Sequence, residues 1–73
     1  MSALGGRIKN LRMSKNLTQK QLAEILNSSY ETVQKCEQGT RRPGLDNLIT
    51  LADYFGVSLD YLVGRTDNQE VNK

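Results

Sequence analysis

Histidine is absent from this chain, and cysteine and proline occur once each. A lone cysteine, Cys36, excludes an intramolecular disulfide. Without histidine it also argues against a structural zinc site, which draws its ligands from several Cys and His. A reducing, cytoplasmic setting is the simplest reading. No apolar run approaches the ~20 residues that a membrane-spanning helix requires, and Met1–Lys15 carries no signal-peptide pattern. Catalysis would have to come from Cys36 or from carboxylates, and none of these cluster at a useful spacing. No cofactor or small-molecule motif is evident, and no internal repeat or low-complexity segment interrupts the chain. The 73 residues leave room for one domain. A chain of this size buries only about 60% of its unfolded surface, so its stability rests on good packing or on self-association.

The net charge of +2 says little by itself, but its distribution is uneven. Residues 1–44 carry eight Lys or Arg against three Asp or Glu, and residues 45–73 carry two against five. One half is therefore +5 and the other −3. A basic half suits a phosphate-facing surface, although charge alone is equally well read as an ordinary solvated mixture.

Periodicity predicts an all-α fold of five short helices. Leu4, Ile8 and Leu11 recur at i, i+4 and i+7 and predict a first helix over about Leu4–Lys15. Gly5 and Gly6 weaken its start by about 1 kcal/mol each relative to alanine. Thr18 is a good N-cap for a second helix, and Gln21 three positions on completes a capping box. Leu17 and Leu22 match a hydrophobic staple across that cap. Leu22, Ala23 and Leu26 share one face. Asn27 suits the left-handed conformation that ends many helices. Ser29 then caps a third helix, whose inward positions are Val33 and Cys36 and whose outward positions are Glu31, Gln34, Lys35 and Gln38, with Tyr30 at its exposed start. Gly39 ends it. The loop Gly39–Gly44 is expected to be extended and exposed, because Pro43 biases Arg42 away from helical geometry. Leu45, Leu48, Ile49, Leu51, Ala52 and Phe55 form a broad apolar stripe on a fourth helix, Leu45–Phe55, closed by Gly56. Ser58 caps a short fifth helix that ends near Val63-Gly64. Residues 1–64 are read as the domain and 65–73 as a flexible tail.

Two short helices across a tight polar turn, the second with long polar groups on its free face, can set that second helix in the major groove of DNA. The residues that carry this pattern also carry a resemblance. Leu17-Thr18-Gln19, Leu22-Ala23, Thr32-Val33, Glu37, Gly39, Arg42-Pro43, Leu51-Ala52 and Gly56-Val57-Ser58-Leu59-Asp60-Tyr61-Leu62, with Arg7-Ile8-Lys9 and Leu11-Arg12 before them, resemble the phage repressor/Cro-type helix-turn-helix family, also called XRE-like. The likeness covers roughly residues 4–64. It implies a lambda-repressor-like DNA-binding domain with its helix-turn-helix at helices two and three.

The resemblance implies base contacts at the positions of Tyr30, Glu31 and Lys35. The chemistry is suitable. Lys35 can donate to the O6 and N7 of guanine, Glu31 can accept from the N4 amine of cytosine, and Tyr30 can press on a thymine methyl. Gln34 lies toward the flank of the same face. A carboxylate in a first helical turn is also stabilised by the helix dipole without any DNA, so both readings of Glu31 stand at this point. Gln19 matches the family's phosphate-anchoring glutamine, at a helix N-terminus suited to anions. Ser29, Thr32, Gln38, Arg41, Arg42 and Asn47 are further candidates for phosphate. The family also pairs the arginine found here as Arg12 with the glutamate found as Glu37. A long arginine beside an apolar stripe needs an anion, which agrees. Two departures stand out. Cys36 replaces a larger apolar side chain, and Ser28 replaces an apolar turn residue, which puts the packing of the turn in doubt. Family members bind double-stranded DNA as dimers on palindromic half-sites, and Leu59, Tyr61, Leu62 and Val63 are the expected homodimer surface. A repressor is the expected function. The alternative is a protein-interaction module of the same fold, such as an antitoxin or anti-repressor, but the polar face of helix three favours DNA.

Overall fold

Three of the five helices begin at a side chain that satisfies an unpaired amide, and each helix is followed by a residue whose backbone turns left-handed. The computed structural model describes residues 3–68, and these form α1 (Ala3–Ser14), α2 (Gln19–Ile25), α3 (Tyr30–Gln38), α4 (Leu45–Phe55) and α5 (Leu59–Leu62), with no strand among the described residues. Thr18 caps α2 with a complete capping box: its hydroxyl accepts from the Gln21 amide at 3.1 Å, while Gln21 Oε1 accepts from the Thr18 amide at 2.8 Å. Ser29 and Ser58 cap α3 and α5 in the same way, accepting from the amides of Thr32 and Tyr61. α4 starts at Gly44 with no side-chain cap.

The five helix ends share one geometry. Asn16, Asn27, Gly39, Gly56 and Gly64 all have positive φ. The next amide in each case reaches back to the carbonyl five residues earlier: Leu17 to Arg12, Ser28 to Ala23, Thr40 to Lys35, Val57 to Ala52 and Arg65 to Asp60. This is the Schellman closure, which satisfies carbonyls that the helix leaves orphaned. It turns the chain sharply enough to pack short helices against one another.

One core joins all five helices: Leu4, Ile8 and Leu11 from α1, Leu22 and Ala23 from α2, Val33 from α3, Leu51 and Ala52 from α4, with Val57 and Leu62. Gly5 lies buried where α1 crosses α3. A Cβ there would sit 2.7 Å from the carbonyl oxygens of both Cys36 and Glu37, so this crossing requires glycine. The glycine that weakens α1 on propensity is what lets it approach.

Three expectations are corrected. Leu45 and Ile49 do not join the core, with exposures of 67% and 42%. At about 100° per residue Ile49 points roughly 160° away from Leu51, the centre of the buried face, and the apolar stripe of α4 is wider than its neighbours can cover. The loop before α4 is not wholly exposed either: Arg41 and Arg42 are exposed but Pro43 is buried. Third, Leu62 is completely buried and belongs to the core, so it is unavailable to a dimer surface.

The start of the expected tail has specific partners. Arg7 Nη1 donates to the carbonyls of Tyr61 and Thr66 at 2.7 and 2.6 Å, and its Nη2 donates to Asp67 Oδ1 at 2.7 Å. The same guanidinium lies over the Tyr61 ring, 4.2 Å from its centroid. Ala3, read with residues 1–2 as a loose terminus, already belongs to α1; residues 1–2 and the rest of the expected tail, 69–73, lie outside the described residues.

Candidate nucleic-acid interface

The candidate interface is α3, which two inward residues hold and whose other face is exposed. Val33 and Cys36 are buried, while Tyr30, Glu31, Lys35 and Gln38 are exposed and Gln34 is half-exposed. Gln34 Nε2 donates to the Tyr30 hydroxyl at 3.3 Å, one turn away. The side chains of Glu31 and Lys35, also one turn apart, make no hydrogen bond or ion pair among the described residues. The outward face thus carries an aromatic hydroxyl, an amide, a carboxylate and an ammonium.

A buried ionic lattice fixes α3 against the helices behind it. Arg12 Nε donates to Glu37 Oε2 at 2.6 Å and its Nη2 to Glu37 Oε1 at 3.1 Å, while Nη1 donates to the Leu17 carbonyl at 2.7 Å. Gln19 Nε2 adds a third donor to Glu37 Oε1 at 3.1 Å. The side chains of Arg12 and Glu37 are 12% and 4% exposed. A charge pair that deep is stable only when its hydrogen bonds are complete, and no buried side-chain polar atom among the described residues lacks a partner. The lattice ties α1, the cap of α2 and the end of α3 into one unit. Gln19 therefore has a structural partner in addition to the phosphate role expected of it. The sequence signal for this, a glutamine just after the Thr18 cap, does not specify which anion the glutamine meets.

The turn between α2 and α3 is closed by polar contacts. Asn47 Nδ2 donates to Ser28 Oγ at 3.2 Å, which joins α4 to the turn. This hydrogen bond takes the place of the apolar contact that Ser28 cannot make. Ser29 and Thr32 share a hydroxyl hydrogen bond at 2.8 Å. Arg41 and Arg42 follow α3 on an exposed path. Lys20, passed over in the sequence reading, sits with Nζ 6.0 Å from the centroid of the Tyr30 ring. It adds a cation beside the start of α3, and only the docking of α2 against α3 reveals it. Burial pushes the Cys36 thiol up in pKa; the charge of Arg41 opposes the shift and that of Glu37 adds to it. A thiol held protonated is a packing residue rather than a nucleophile. No group of three or more metal-ligating side chains occurs among the described residues, and no helix there is long and apolar enough to cross a membrane.

A capped helix, a turn closed at Asn27 and a second helix with an exposed polar face define a helix-turn-helix domain. The chain belongs to the helix-turn-helix family, in its phage repressor/Cro-type, XRE-like form: the family's sequence model matches residues 8–62. Among its relatives, the HTH-type transcriptional regulator ImmR of Bacillus subtilis is 35% identical over 71 residues, which are 97% of this chain and 56% of ImmR. This chain thus spans little more than half of that relative's length. A transcriptional regulator from Listeria innocua has a similar structure, with a TM-score of 0.82 and 36% identity over 96% of this chain and 64% of that one. The P22 c2 repressor, solved in complex with a synthetic operator, has a TM-score of 0.77 and 27% identity, covering 82% of this chain and 91% of that one.

Proposed function

We propose that this protein is a sequence-specific, double-stranded DNA-binding transcriptional regulator acting as a repressor in the cytoplasm, and that it binds a palindromic operator as a homodimer. The observation that carries the reading is the outward face of α3. Four polar side chains of different hydrogen-bonding character, with no partner outside α2 and α3, line the outer side of a helix whose opposite face is locked by Val33, Cys36 and the Glu37 lattice. Such a face inserted in the major groove brings Tyr30, Glu31, Gln34 and Lys35 to base edges. The flanking groups Lys20, Ser29, Thr32, Gln38, Arg41, Arg42 and Asn47, with Gln19 at the N-terminus of α2, suit the phosphates that set register. The operator complex of the related P22 c2 repressor supports the reading.

A domain of this size covers only part of one DNA face, and two copies related by a two-fold axis would read two half-sites one helical turn apart. Leu59 and Val63, one turn apart and both exposed, suit the contact between copies. Tyr61 contributes less, because Arg7 covers its ring.

Selection of bound duplexes from a random pool tests the proposal. A palindromic consensus is expected, and Lys35→Ala should weaken binding to it by about 5- to 100-fold while the melting temperature stays within a degree or two. Salt-sensitive binding without any consensus would reduce the interaction to phosphate attraction and overturn the reading.

A further inference from the structure

We propose that Glu31 is the specificity filter of this interface: it selects cytosine by making every other base in its place unfavourable. The inference rests on the reading of α3 as the helix that enters the major groove. The helix-turn-helix itself, residues 18–39, carries three carboxylates, Glu24, Glu31 and Glu37. Glu37 is consumed by Arg12 and Gln19. Glu24 belongs to α2. Glu31 is thus the one uncompensated carboxylate on α3, and it is exposed in the first turn.

Lys35 stands at i+4, the spacing at which a glutamate and a lysine on a helix normally pair. The two are nevertheless unpaired here, although both are exposed. Neither is engaged in an ion pair with another described residue. A carboxylate brought among phosphates is repelled by all of them, whatever the sequence. In the major groove, cytosine offers the amine at N4 as a hydrogen-bond donor with no acceptor beside it on the same base, whereas the N6 amine of adenine sits next to the N7 acceptor, which repels a carboxylate. Glu31 therefore weakens binding generally and recovers the loss where cytosine lies opposite it. Lys35 has the complementary demand, since guanine offers O6 and N7 as acceptors. Side chains one turn apart are separated by about 5–6 Å at Cβ, and stacked base pairs by about 3.4 Å along one strand. The pair thus reaches adjacent positions or positions two apart. Each half-site should carry a cytosine for Glu31 and a guanine for Lys35 within two base pairs of each other.

The test uses the full chain as wild type, Glu31→Gln and Glu31→Ala, with selection from a random duplex pool. Affinities are then measured on the selected site and on a scrambled duplex at one fixed salt concentration. Both variants change an exposed side chain that has no partner among the described residues, and thermal melting checks that they fold. The wild type is expected to require a C·G pair at one position of each half-site. In Glu31→Ala that position alone should become degenerate, and binding to scrambled duplex should tighten several-fold. The specific-to-scrambled ratio should fall by about 5- to 100-fold. Glu31→Gln should also bind scrambled duplex more tightly, which separates loss of charge from loss of size. An unchanged consensus and an unchanged ratio in both variants would overturn the proposal and leave Glu31 as a residue that only stabilises the helix N-terminus. Failure of the wild type to select any consensus would instead overturn the reading of α3 on which the proposal rests.

Discussion

Gly5 and Gly6 are adjacent, share a helix and have opposite reasons to be there. A methyl group at Gly5 would meet two backbone carbonyl oxygens of α3, and one at Gly6 would meet nothing within 4 Å. Gly5→Ala should therefore destabilise the fold by about 1–3 kcal/mol, the usual cost of overpacking. Gly6→Ala should stabilise it by up to about 1 kcal/mol through helix propensity and a less free unfolded chain. Urea denaturation of the two variants distinguishes them, and equal shifts would contradict the close crossing of α1 and α3. Cys36 shows the effect of burial on a single group. Its thiol is pushed up in pKa by loss of water, so the thiolate is scarce at neutral pH. Alkylation by iodoacetamide at pH 7.5 should be much slower in the native protein than in urea, and the gap should persist as the pH rises past the ordinary thiol range.

Among the elements, α3 depends on its neighbours for support. Its own sequence supplies a cap, two buried side chains and a glycine stop, which is little for nine residues, and short helices are marginal without tertiary support. The support comes from Arg12 and Gln19 on Glu37. Arg12→Ala would strand a buried carboxylate and is expected to cost about 3–5 kcal/mol, read as a large drop in melting temperature. The loss of the guanidinium bond to the Leu17 carbonyl would loosen the entry to α2 as well. An unchanged melting temperature would mean that the pair does not carry this load. α4 shows the converse. Its stripe of apolar residues is longer and broader than that of α3, yet Leu45 and Ile49 remain exposed, since hydrophobic character decides burial only where a neighbour exists to provide it.

For the whole molecule, the basic half and the polar face of α3 make binding depend on salt. Each phosphate neutralised contributes about 0.9 to the slope of log affinity against log salt on B-form DNA. Arg41→Ala and Arg42→Ala should each weaken binding to specific and scrambled duplex alike and reduce that slope by about 1. A change confined to the selected site would instead make the loop a base reader. The slope also reports stoichiometry, because two copies on one operator double the number of phosphates met. Sedimentation of the complex gives the same answer independently, and one copy per duplex at every ratio would exclude the proposed dimer.

The sequence by itself determined the helix boundaries to within about two residues, and the assignment to the family. Both depend on local chemistry: hydroxyls that cap, residues that tolerate positive φ, and apolar side chains at helical spacing. The family resemblance also paired Arg12 with Glu37, and local chemistry agreed only in requiring some anion for a long cation beside a core face. Tertiary structure alone decided the rest. It decided that Gly5 is required for a close crossing, that Gln19 faces Glu37, that Lys20 stands beside Tyr30, and that Leu62 is core while Ile49 is not. Arg7 is the same kind of case, since its partners Tyr61, Thr66 and Asp67 lie more than fifty residues away. Periodicity tells which way a side chain points from its own helix. What it meets there is set by where the other helices have docked.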